Sequence, residues 1–298
     1  MIPDFLMRSL LFVPAHNDKF LESASKCKAD VLLLDLEDSC QPVENKALAR
    51  EKIKQYLNEG KFNNKIIIPR VNERISGEFL KDIYSLTIPG ITGFMYPKAE
   101  KAEDVYFLGK LLETIEYEKG YKIGTFKIIP LIESTGAIME LNSICSICPN
   151  RVIAVAFGHL DYITDLGGRH DKAENSIFTV RSMIAIAAKA NNIVPIDTIH
   201  PRALKDLEDL KLRLESGRDL GYEGMLCLNP IELELVNQYY SPSEKDVKWA
   251  LEIIGLSTEA VREGKGVALM NGKFIGPPLI AMAKNILKKN KLIQSPII

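Results

Sequence analysis

The sequence has almost no excess charge of either sign. Its 298 residues include 38 Lys and Arg against 39 Asp and Glu, which gives a formal net charge of -1. A surface dedicated to nucleic acid normally shows as a basic excess or a basic patch. The charge balance therefore argues against nucleic acid as a partner.

Long apolar runs and a regular set of cysteines are missing as well. No stretch approaches about 18 uninterrupted apolar residues, so we expect no membrane span and no membrane partner. Asp4 and Arg8 interrupt the apolar N-terminal stretch and no small-residue cleavage site follows, which favours a buried first strand over a signal peptide. The 5 cysteines are odd in number and scattered, which is typical of a reducing cytoplasm rather than of a disulfide framework. We therefore expect a cytoplasmic protein.

The chain does contain a repeated alternation of short apolar runs with helix-patterned segments. The runs are continuously apolar, which is typical of strands buried on both faces of a parallel sheet. They are Ser9–Val13, Val31–Leu34, Lys65–Pro69, Gly93–Tyr96, Lys127–Ile132, Val152–Ala156, Ile193–Ile196 and Gly224–Leu228. Eight such units in sequence predict an α/β fold that closes as a (β/α)8 TIM barrel, rather than an open doubly wound sheet.

The C-terminal part follows a different pattern. A helix after the eighth run is expected to end at Tyr240-Ser-Pro-Ser243. Beyond it we expect helices over Lys245–Ile254, Glu259–Glu263 and Pro278–Lys289, with a Gly-rich hairpin over Gly264–Gly276. The predicted domains are a catalytic barrel, residues 1–240, and a C-terminal helical extension, residues 241–298. This extension would cap the barrel as a lid or reach a neighbouring subunit.

Charged side chains follow five consecutive apolar runs, from the second to the sixth. They are Asp35, Glu37 and Asp38 after the second run, Arg70 after the third, Lys98 after the fourth, Glu133 after the fifth and Asp161 after the sixth. An α/β barrel builds its chemistry at the carboxyl ends of its strands. A single carboxylate at such a place is more often a helix N-cap or an ion-pair partner. Charged groups of both signs at consecutive strand ends indicate an active site.

The carboxylates at these ends need a cation, because isolated carboxylates in a dry barrel mouth would lose their charge. Mg2+ prefers one or two carboxylates, with room left for water and substrate oxygens. Glu133 and Asp161 are the predicted ligands, since each stands directly beyond a buried strand. Asp35 and Glu37 are predicted to act in catalysis together with Arg70, either through water near the ion or by holding basic side chains in place.

Basic side chains could bind an acidic substrate. Arg8 and Arg70, near strands one and three, are predicted to bind a substrate carboxylate or an enolate oxygen, and Lys98 is a third candidate for substrate binding. With the ion, they would stabilise negative charge during carbon–carbon cleavage or its reverse. His16 and His159 could serve as bases, although local packing or hydrogen bonding explains them equally well.

Taken in order, six segments resemble the citrate lyase β-subunit-like family of HpcH/HpaI aldolases, which is related to malyl-CoA and citramalyl-CoA lyases. The segments are Arg8-Ser-Leu-Leu-Phe-Val-Pro14, Leu34-Asp-Leu-Glu-Asp-Ser39, Arg70-Val-Asn72, Tyr96-Pro-Lys98, Pro130-Leu-Ile-Glu133 and Phe157-Gly-His-Leu-Asp161. The resemblance implies a barrel of the phosphoenolpyruvate/pyruvate-binding type, usually a homotrimer or hexamer. It also implies Mg2+ held by Glu133 and Asp161, with Arg70 on the carboxylate or oxo group of the substrate.

The same resemblance implies aldol or Claisen cleavage of a hydroxyacyl-CoA thioester to acetyl-CoA and a 2-oxo acid, and thioester hydrolysis in some members. Three positions depart from the family pattern. Met225 and Asn229 stand where the family has a Lys and a His on the CoA side of the site, and Gly276 stands where its lid has an Asp. Three functions remain open: a Mg2+-dependent lyase, a thioesterase or CoA-independent aldolase on the same site, and a non-catalytic protein that binds oxo acids.

Overall fold

The computed structural model describes residues 3–169, 175–198, 206–264, 268–270 and 273–294. The chain divides into two compact units, one formed by Met1–Pro3 and Met7–Asn237 and the other by Asp4–Leu6 and Gln238–Ile298. Among the helices of the described residues, none is both long enough and apolar enough to cross a membrane. The catalytic and lid roles assigned to the two parts of the chain stay predictions.

The first unit is built on eight parallel strands. They are β1 (Ser9–Pro14), β2 (Val31–Asp35), β3 (Ile66–Ile67), β4 (Gly93–Tyr96), β5 (Lys127–Ile132), β6 (Ala154–Phe157), β7 (Val194–Thr198) and β8 (Gly224–Cys227). Their order in the sheet is β3-β2-β1-β8-β7-β6-β5-β4. Arg70, just beyond β3, forms parallel bridges to Asp35 and to Met95, so the two ends of the sheet meet and the barrel closes. The predicted (β/α)8 barrel is confirmed.

The third strand is shorter than the sequence predicts. The apolar run Lys65–Pro69 forms a regular ladder only at Ile66 and Ile67. Pro69 has no amide hydrogen and so cannot donate to a neighbouring strand. Its carbonyl oxygen still accepts from the Met95 amide at 2.9 Å, and pairing with β2 resumes at Arg70. The interruption of β3 at Pro69 lies directly before Arg70, whose side chain reaches the mouth of the barrel.

Helices follow the strands. In the first unit they are α1 (Asp18–Lys26), α2 (Glu44–Asn58), α3 (Phe79–Leu86), α4 (Ala102–Glu118), α5 (Thr135–Met139), α6 (Leu141–Ser146), α7 (His159–Leu166), α8 (Asn175–Ala190), α9 (Leu207–Asp219) and α10 (Leu233–Tyr239), which runs into the second unit. Polar caps fix several starts: Asn17 accepts from the Lys19 amide, and Asp206 accepts from the amides of Glu208 and Asp209. Gly167 ends α7 in the left-handed region at φ 67°, a conformation that glycine adopts without strain.

One charged strand-end residue faces the helix layer instead of the barrel mouth. Asp197 in β7 is fully buried and pairs with Arg181 of α8, whose Nε lies 3.2 Å from each carboxylate oxygen. Arg181 also donates to the Ser216 hydroxyl at 3.2 Å. The pair joins β7 to α8 and α9, so its role is structural.

The second unit contains α11 (Glu244–Arg262), the antiparallel strands β9 (Ala268–Met270) and β10 (Lys273–Ile275), and α12 (Pro277–Gln294). The two helices predicted over Lys245–Ile254 and Glu259–Glu263 are in fact one helix. Gly255 alone disfavours a helix by about 1 kcal/mol relative to alanine. Ala250, Ile253 and Ala260 lie on one face of α11 and are buried in the core of this unit, and that packing keeps the helix continuous.

Candidate active site

A buried ion pair joins the ends of β2 and β3. Arg70 donates from Nε to Oδ1 of Asp35 and from Nη2 to Oδ2, each at 2.7 Å. Asp35 also accepts from the Glu37 amide at 3.0 Å and from the Ser39 amide at 3.0 Å. Burial alone would raise the pKa of Asp35, but Arg70 and these donors outweigh it, so the pKa lies below its ordinary value. Asp35 is therefore a fixed negative charge that orients the guanidinium of Arg70.

Glu37 meets the free edge of the same guanidinium. Its Oε2 lies 3.1 Å from Nη1 of Arg70, and its Oε1 lies 3.9 Å from Nζ of Lys98. Nη1 of Arg70 is also 3.1 Å from the exposed carboxylate of Asp38. Burial raises the pKa of Glu37 to about 7, with Asp38 and Asp35 adding repulsion against the attraction of Arg70. Unlike Asp35, Glu37 can gain or lose a proton near neutral pH.

Glu133 stands at the end of β5. Its Oε1 accepts the backbone N–H of Lys98 at 2.6 Å, and Lys98 adopts a left-handed φ of 50°. The carboxylate lies against Gly158 in the turn after β6, where an added Cβ would be 2.8 Å from Oε2 of Glu133. A larger residue at this position would force the side chain of Glu133 to move. Burial, together with the charges of Glu37 and Asp161, raises the pKa of Glu133 to about 8, although the hydrogen bond from the Lys98 amide opposes the shift.

Asp161 lies in the first turn of α7, three residues after Gly158, and its side chain is exposed. Among the described residues, no group of three or more His, Cys, Asp or Glu side chains is arranged to hold a metal ion. A pair of carboxylates fits Mg2+ better than zinc, because Mg2+ keeps several water ligands and uses only one or two carboxylates. The crowding of Glu133, Glu37 and Asp161 is the kind of charge that a divalent cation relieves.

A buried polar network supports the loop that carries Glu37, and its members are absent from the predicted site. Nζ of Lys46 donates to the carbonyls of Leu36 at 3.2 Å and Glu37 at 3.4 Å, and to the side chain of Asn72. Asn72 donates from its amide to Asp82 at 2.9 Å. The sequence holds one signal for this network: Lys46 lies on the buried face of α2, where an apolar residue is expected.

Arg8 lies at the opposite end of the barrel. It precedes β1, and its amide and Nε both donate to Oδ2 of Asp30 at 2.8 Å, just before β2 begins. We therefore leave Arg8 out of the proposed site. Its guanidinium is at the amino ends of the strands, whereas Arg70, Lys98 and Glu133 gather at the carboxyl ends.

The structure also places the other positions singled out in the sequence. Asn229, after β8, accepts from the Ile231 amide at 3.1 Å and caps a single 3₁₀ turn, Pro230–Glu232. Met225 is buried within β8. His159 is buried with its ring centroid 6.2 Å from that of Phe157. His16, in the loop after β1, is partly buried at the same end of the barrel as Asp35.

Comparison with known proteins identifies related sequences over nearly the whole chain. The family model for HpcH/HpaI aldolase/citrate lyase matches residues 8–230. Citrate lyase subunit beta of Haemophilus influenzae is 32% identical over 286 residues, which is 96% of this chain and 97% of that protein. A (3S)-malyl-CoA thioesterase of Cereibacter sphaeroides is 27% identical over 288 residues, 97% of this chain and 96% of that protein. A citrate lyase beta subunit from M. tuberculosis, solved with oxaloacetate and magnesium, has a TM-score of 0.65 and 25% identity, covering 80% of this chain and 99% of that one.

Proposed function

The chain belongs to the HpcH/HpaI aldolase/citrate lyase family, and from that premise we propose that it is a Mg2+-dependent carbon–carbon lyase. Its substrate would be a small hydroxy or oxo acid, either free or as a CoA thioester. One observation carries the proposal. An unbroken series of contacts runs across four strand ends: Arg70 to Glu37 at 3.1 Å, Glu37 to Lys98 at 3.9 Å, and the Lys98 amide to Glu133 at 2.6 Å.

Glu133 and Asp161 are the residues that would hold the ion. Bound there, Mg2+ would stabilise negative charge that develops on a carbonyl or enolate oxygen. The carboxylate of Glu133 is already oriented before an ion binds. The Lys98 amide donates to its Oε1, and Gly158 packs against its Oε2. A preset orientation reduces the reorganisation that catalysis would otherwise require.

Arg70 is proposed to bind the carboxylate or oxo group of the acid. Two of its nitrogens are committed to Asp35, while Nη1 faces Glu37 and the exposed Asp38. A substrate carboxylate can take the place of Asp38 on Nη1, because an exposed ion pair contributes little free energy. Lys98, whose side chain is 44% exposed, pairs with Glu73 at 2.9 Å and lies 3.9 Å from Glu37. A second negative group of the substrate can take the place of Glu73, because that ion pair is also partly exposed.

Glu37 is the proposed proton carrier, since its pKa of about 7 suits general acid–base catalysis. It takes the hydroxyl proton of the substrate as the carbon–carbon bond breaks. The bonding electron pair leaves with the second fragment as an enolate, and the oxygen that lost its proton becomes a carbonyl. Glu37 then returns the proton to the enolate carbon. Asp35 takes no part in proton transfer and serves to orient Arg70.

The names of the relatives support the proposed lyase activity, and they also leave thioester hydrolysis as a second candidate function. The citrate lyase subunits and the magnesium–oxaloacetate complex favour carbon–carbon cleavage next to a bound oxo acid. The (3S)-malyl-CoA thioesterases favour hydrolysis of a thioester on the same scaffold. The two reactions differ in their products, because only the lyase releases a 2-oxo acid.

The test is to incubate the full chain with a panel of hydroxyacyl-CoA thioesters and the matching free acids, with Mg2+ and with a chelator. We expect a 2-oxo acid such as glyoxylate or pyruvate to appear only with Mg2+. Free CoA without a 2-oxo acid would favour the thioesterase. An absence of turnover across the panel with every divalent metal would contradict the proposed lyase.

The assembly of three or six copies that the family resemblance implies also remains a proposal. Light scattering on the purified chain measures the mass of the particle directly. We expect a multiple of three chain masses of 33.3 kDa. A monomer at micromolar concentration would contradict it.

A further inference from the structure

A pair of hydrogen bonds links the two elements that carry the proposed metal ligands. Oδ2 of Asp165 accepts both the backbone N–H and the hydroxyl of Thr135, each at 2.6 Å. Asp165 lies on α7, one turn beyond Asp161, so the two carboxylates lie on the same face of that helix. Thr135 follows Glu133 by two residues and begins α5. The link therefore joins α7 to the segment that leaves β5.

A second contact joins the same two elements closer to the ligands. The carboxylate of Glu133 lies against Gly158, the residue immediately before α7. Tyr162 and Ile163 of α7 are buried and hold the middle of the helix in place. The bonds from Thr135 to Asp165 act almost at the far end of this 8-residue helix and add a polar contact to the end of β5. Asp161 lies between the two points of contact.

We propose that Asp165 is a positioning residue for the metal site. Its bonds to Thr135 fix α7 relative to the end of β5, and thereby set the separation of the Glu133 and Asp161 carboxylates. This inference rests on the proposed function, because it requires that these two residues bind the ion. Its consequence is selectivity: Mg2+ demands ligand oxygens at about 2.0–2.1 Å in near-ideal octahedral geometry, whereas Ca2+ accepts about 2.3–2.6 Å in flexible geometry.

A rival explanation is that Asp165 acts only through its negative charge, which would attract any divalent cation. The two explanations differ in what they predict for Asn at this position. Asn keeps an oxygen that can accept from Thr135 but removes the charge. A role in positioning is therefore largely preserved in Asp165→Asn and lost in Asp165→Ala, while a role of charge is lost equally in both.

The experiment measures the affinities of the full chain for Mg2+ and Ca2+ by titration calorimetry, with no substrate present. It compares the wild type, Asp165→Ala, Asp165→Asn and Glu140→Gln. Glu140→Gln is the matched control, because it removes an exposed carboxylate just beyond α5. Loss of a residue that orients a metal ligand typically weakens binding about 10- to 100-fold. We expect that loss for Mg2+ in Asp165→Ala, a smaller loss for Ca2+, and near wild-type selectivity in Asp165→Asn and Glu140→Gln.

Equal losses for Mg2+ and Ca2+ in Asp165→Ala, or equal losses in the Ala and Asn variants, would overturn the positioning role. If Asp165→Ala loses structure, Thr135→Val serves as the second variant. It removes one of the two bonds and should lower the ratio of Mg2+ to Ca2+ affinity by a smaller factor; an unchanged ratio in a folded Thr135→Val protein counts against the proposal. Failure of the proposed function looks different, because the wild type itself would then bind neither ion.

Discussion

The carboxyl ends of β2 and β5 each carry a buried carboxylate, and the surroundings of the two differ. Asp35 is held by the fork of Arg70 and by backbone donors, and its pKa lies below the ordinary value despite burial. Glu133 accepts a single N–H bond from Lys98 and faces Glu37, and its pKa is raised to about 8 by burial and like charge. Asp35 has its counter-charge in direct contact, whereas Glu133 forms no ion pair among the residues that the structure describes and feels Arg70 only at a distance. The comparison therefore distinguishes Asp35, which orients Arg70, from Glu133, which is proposed to bind the metal ion.

Burial alone does not distinguish a binding carboxylate, as a third case shows. Glu232, in the turn after β8, is fully buried and its pKa is raised to about 7. Its Oε2 accepts the amides of Leu228 at 3.1 Å and Asn229 at 3.3 Å, so it caps a turn. Glu133 differs by facing the negative charges of Glu37 and Asp161. That accumulation of charge is what indicates a cation site.

The largest expected effect is a difference in activity between variants of the two buried glutamates, Glu133 and Glu232. Glu133→Gln keeps the size of the side chain but removes the negative charge that would hold the ion. Because a bound metal contributes several kcal/mol to stabilising the transition state, we expect the release of 2-oxo acid to fall on the order of 1000-fold. Glu232→Gln, measured in the same assay, should keep activity within about twofold, a change that corresponds to less than 1 kcal/mol. Equal activity of the two variants would remove the distinction.

The next effect tests the orienting side of the comparison. Arg70→Ala leaves Asp35 as a buried, unpaired charge, so we expect the free energy of unfolding to fall by about 3–5 kcal/mol. Binding of the oxo acid should be lost with it. Arg8→Ala breaks the ion pair with Asp30 at the other end of the barrel, where hydrogen bonds to charged groups contribute roughly 1.5–3 kcal/mol. For each variant, denaturant unfolding measures the stability, and calorimetric titration with a 2-oxo acid measures the binding of the acid. Loss of acid binding in a folded Arg8→Ala protein would contradict the placement of Arg8.

A smaller effect concerns the space around Glu133. In Gly158→Ala the new Cβ would lie 2.8 Å from Oε2 and 2.9 Å from Cβ of Glu133, so the carboxylate must move. Mg2+ affinity should fall about 10- to 100-fold, the usual effect of disturbing the support of a metal ligand. Gly136→Ala, in α5, is the matched control, because its Cβ would meet only the Ser134 hydroxyl at an ordinary 3.9 Å. Similar Mg2+ affinities in the two variants would show that Glu133 does not need this geometry.

The smallest effect is a change of stability with pH. Burial raises the pKa of Glu232 from its ordinary 4.5 to about 7, so the folded protein holds this proton more tightly than the unfolded chain does. The protein therefore loses stability as pH rises from about 4.5 to 7, and the loss persists above that range. Glu232→Gln should remove the part of this dependence that Glu232 contributes, beside the parts of Glu37 and Glu133, and should stabilise the protein at pH 8 by roughly 1–3 kcal/mol. Urea unfolding at pH 5 and pH 8 checks it; a Gln variant that is less stable at pH 8 would contradict the burial of a charge.

Much of the barrel could be predicted from the sequence, because strands buried on both faces are continuously apolar and their ends are marked by the first charge. That rule places Asp35, Arg70, Lys98 and Glu133 at one end of the barrel, as the structure has them. It misplaces Arg8, since a residue that precedes its apolar run lies at the amino end of the strand. The direction of a parallel strand decides which charge reaches the mouth.

Hydrogen-bond partners could not be predicted, because they join residues far apart in the chain. The difference between Asp35 and Glu133 depends on which of them receives the fork of Arg70. The network of Lys46 with Asn72 and the bonds from Thr135 to Asp165 likewise appear only after folding. The continuity of α11 across Gly255 depends on tertiary packing, which outweighs the local preference of the residue.

The most direct test of the metal site is a crystal structure of the full chain soaked with Mg2+ and a 2-oxo acid. We expect one ion with a carboxylate oxygen from Glu133 and another from Asp161 at about 2.0–2.1 Å. The carboxylate of the acid should lie against Nη1 of Arg70. An ion bound elsewhere, or bound by only one of these two carboxylates, would contradict the account.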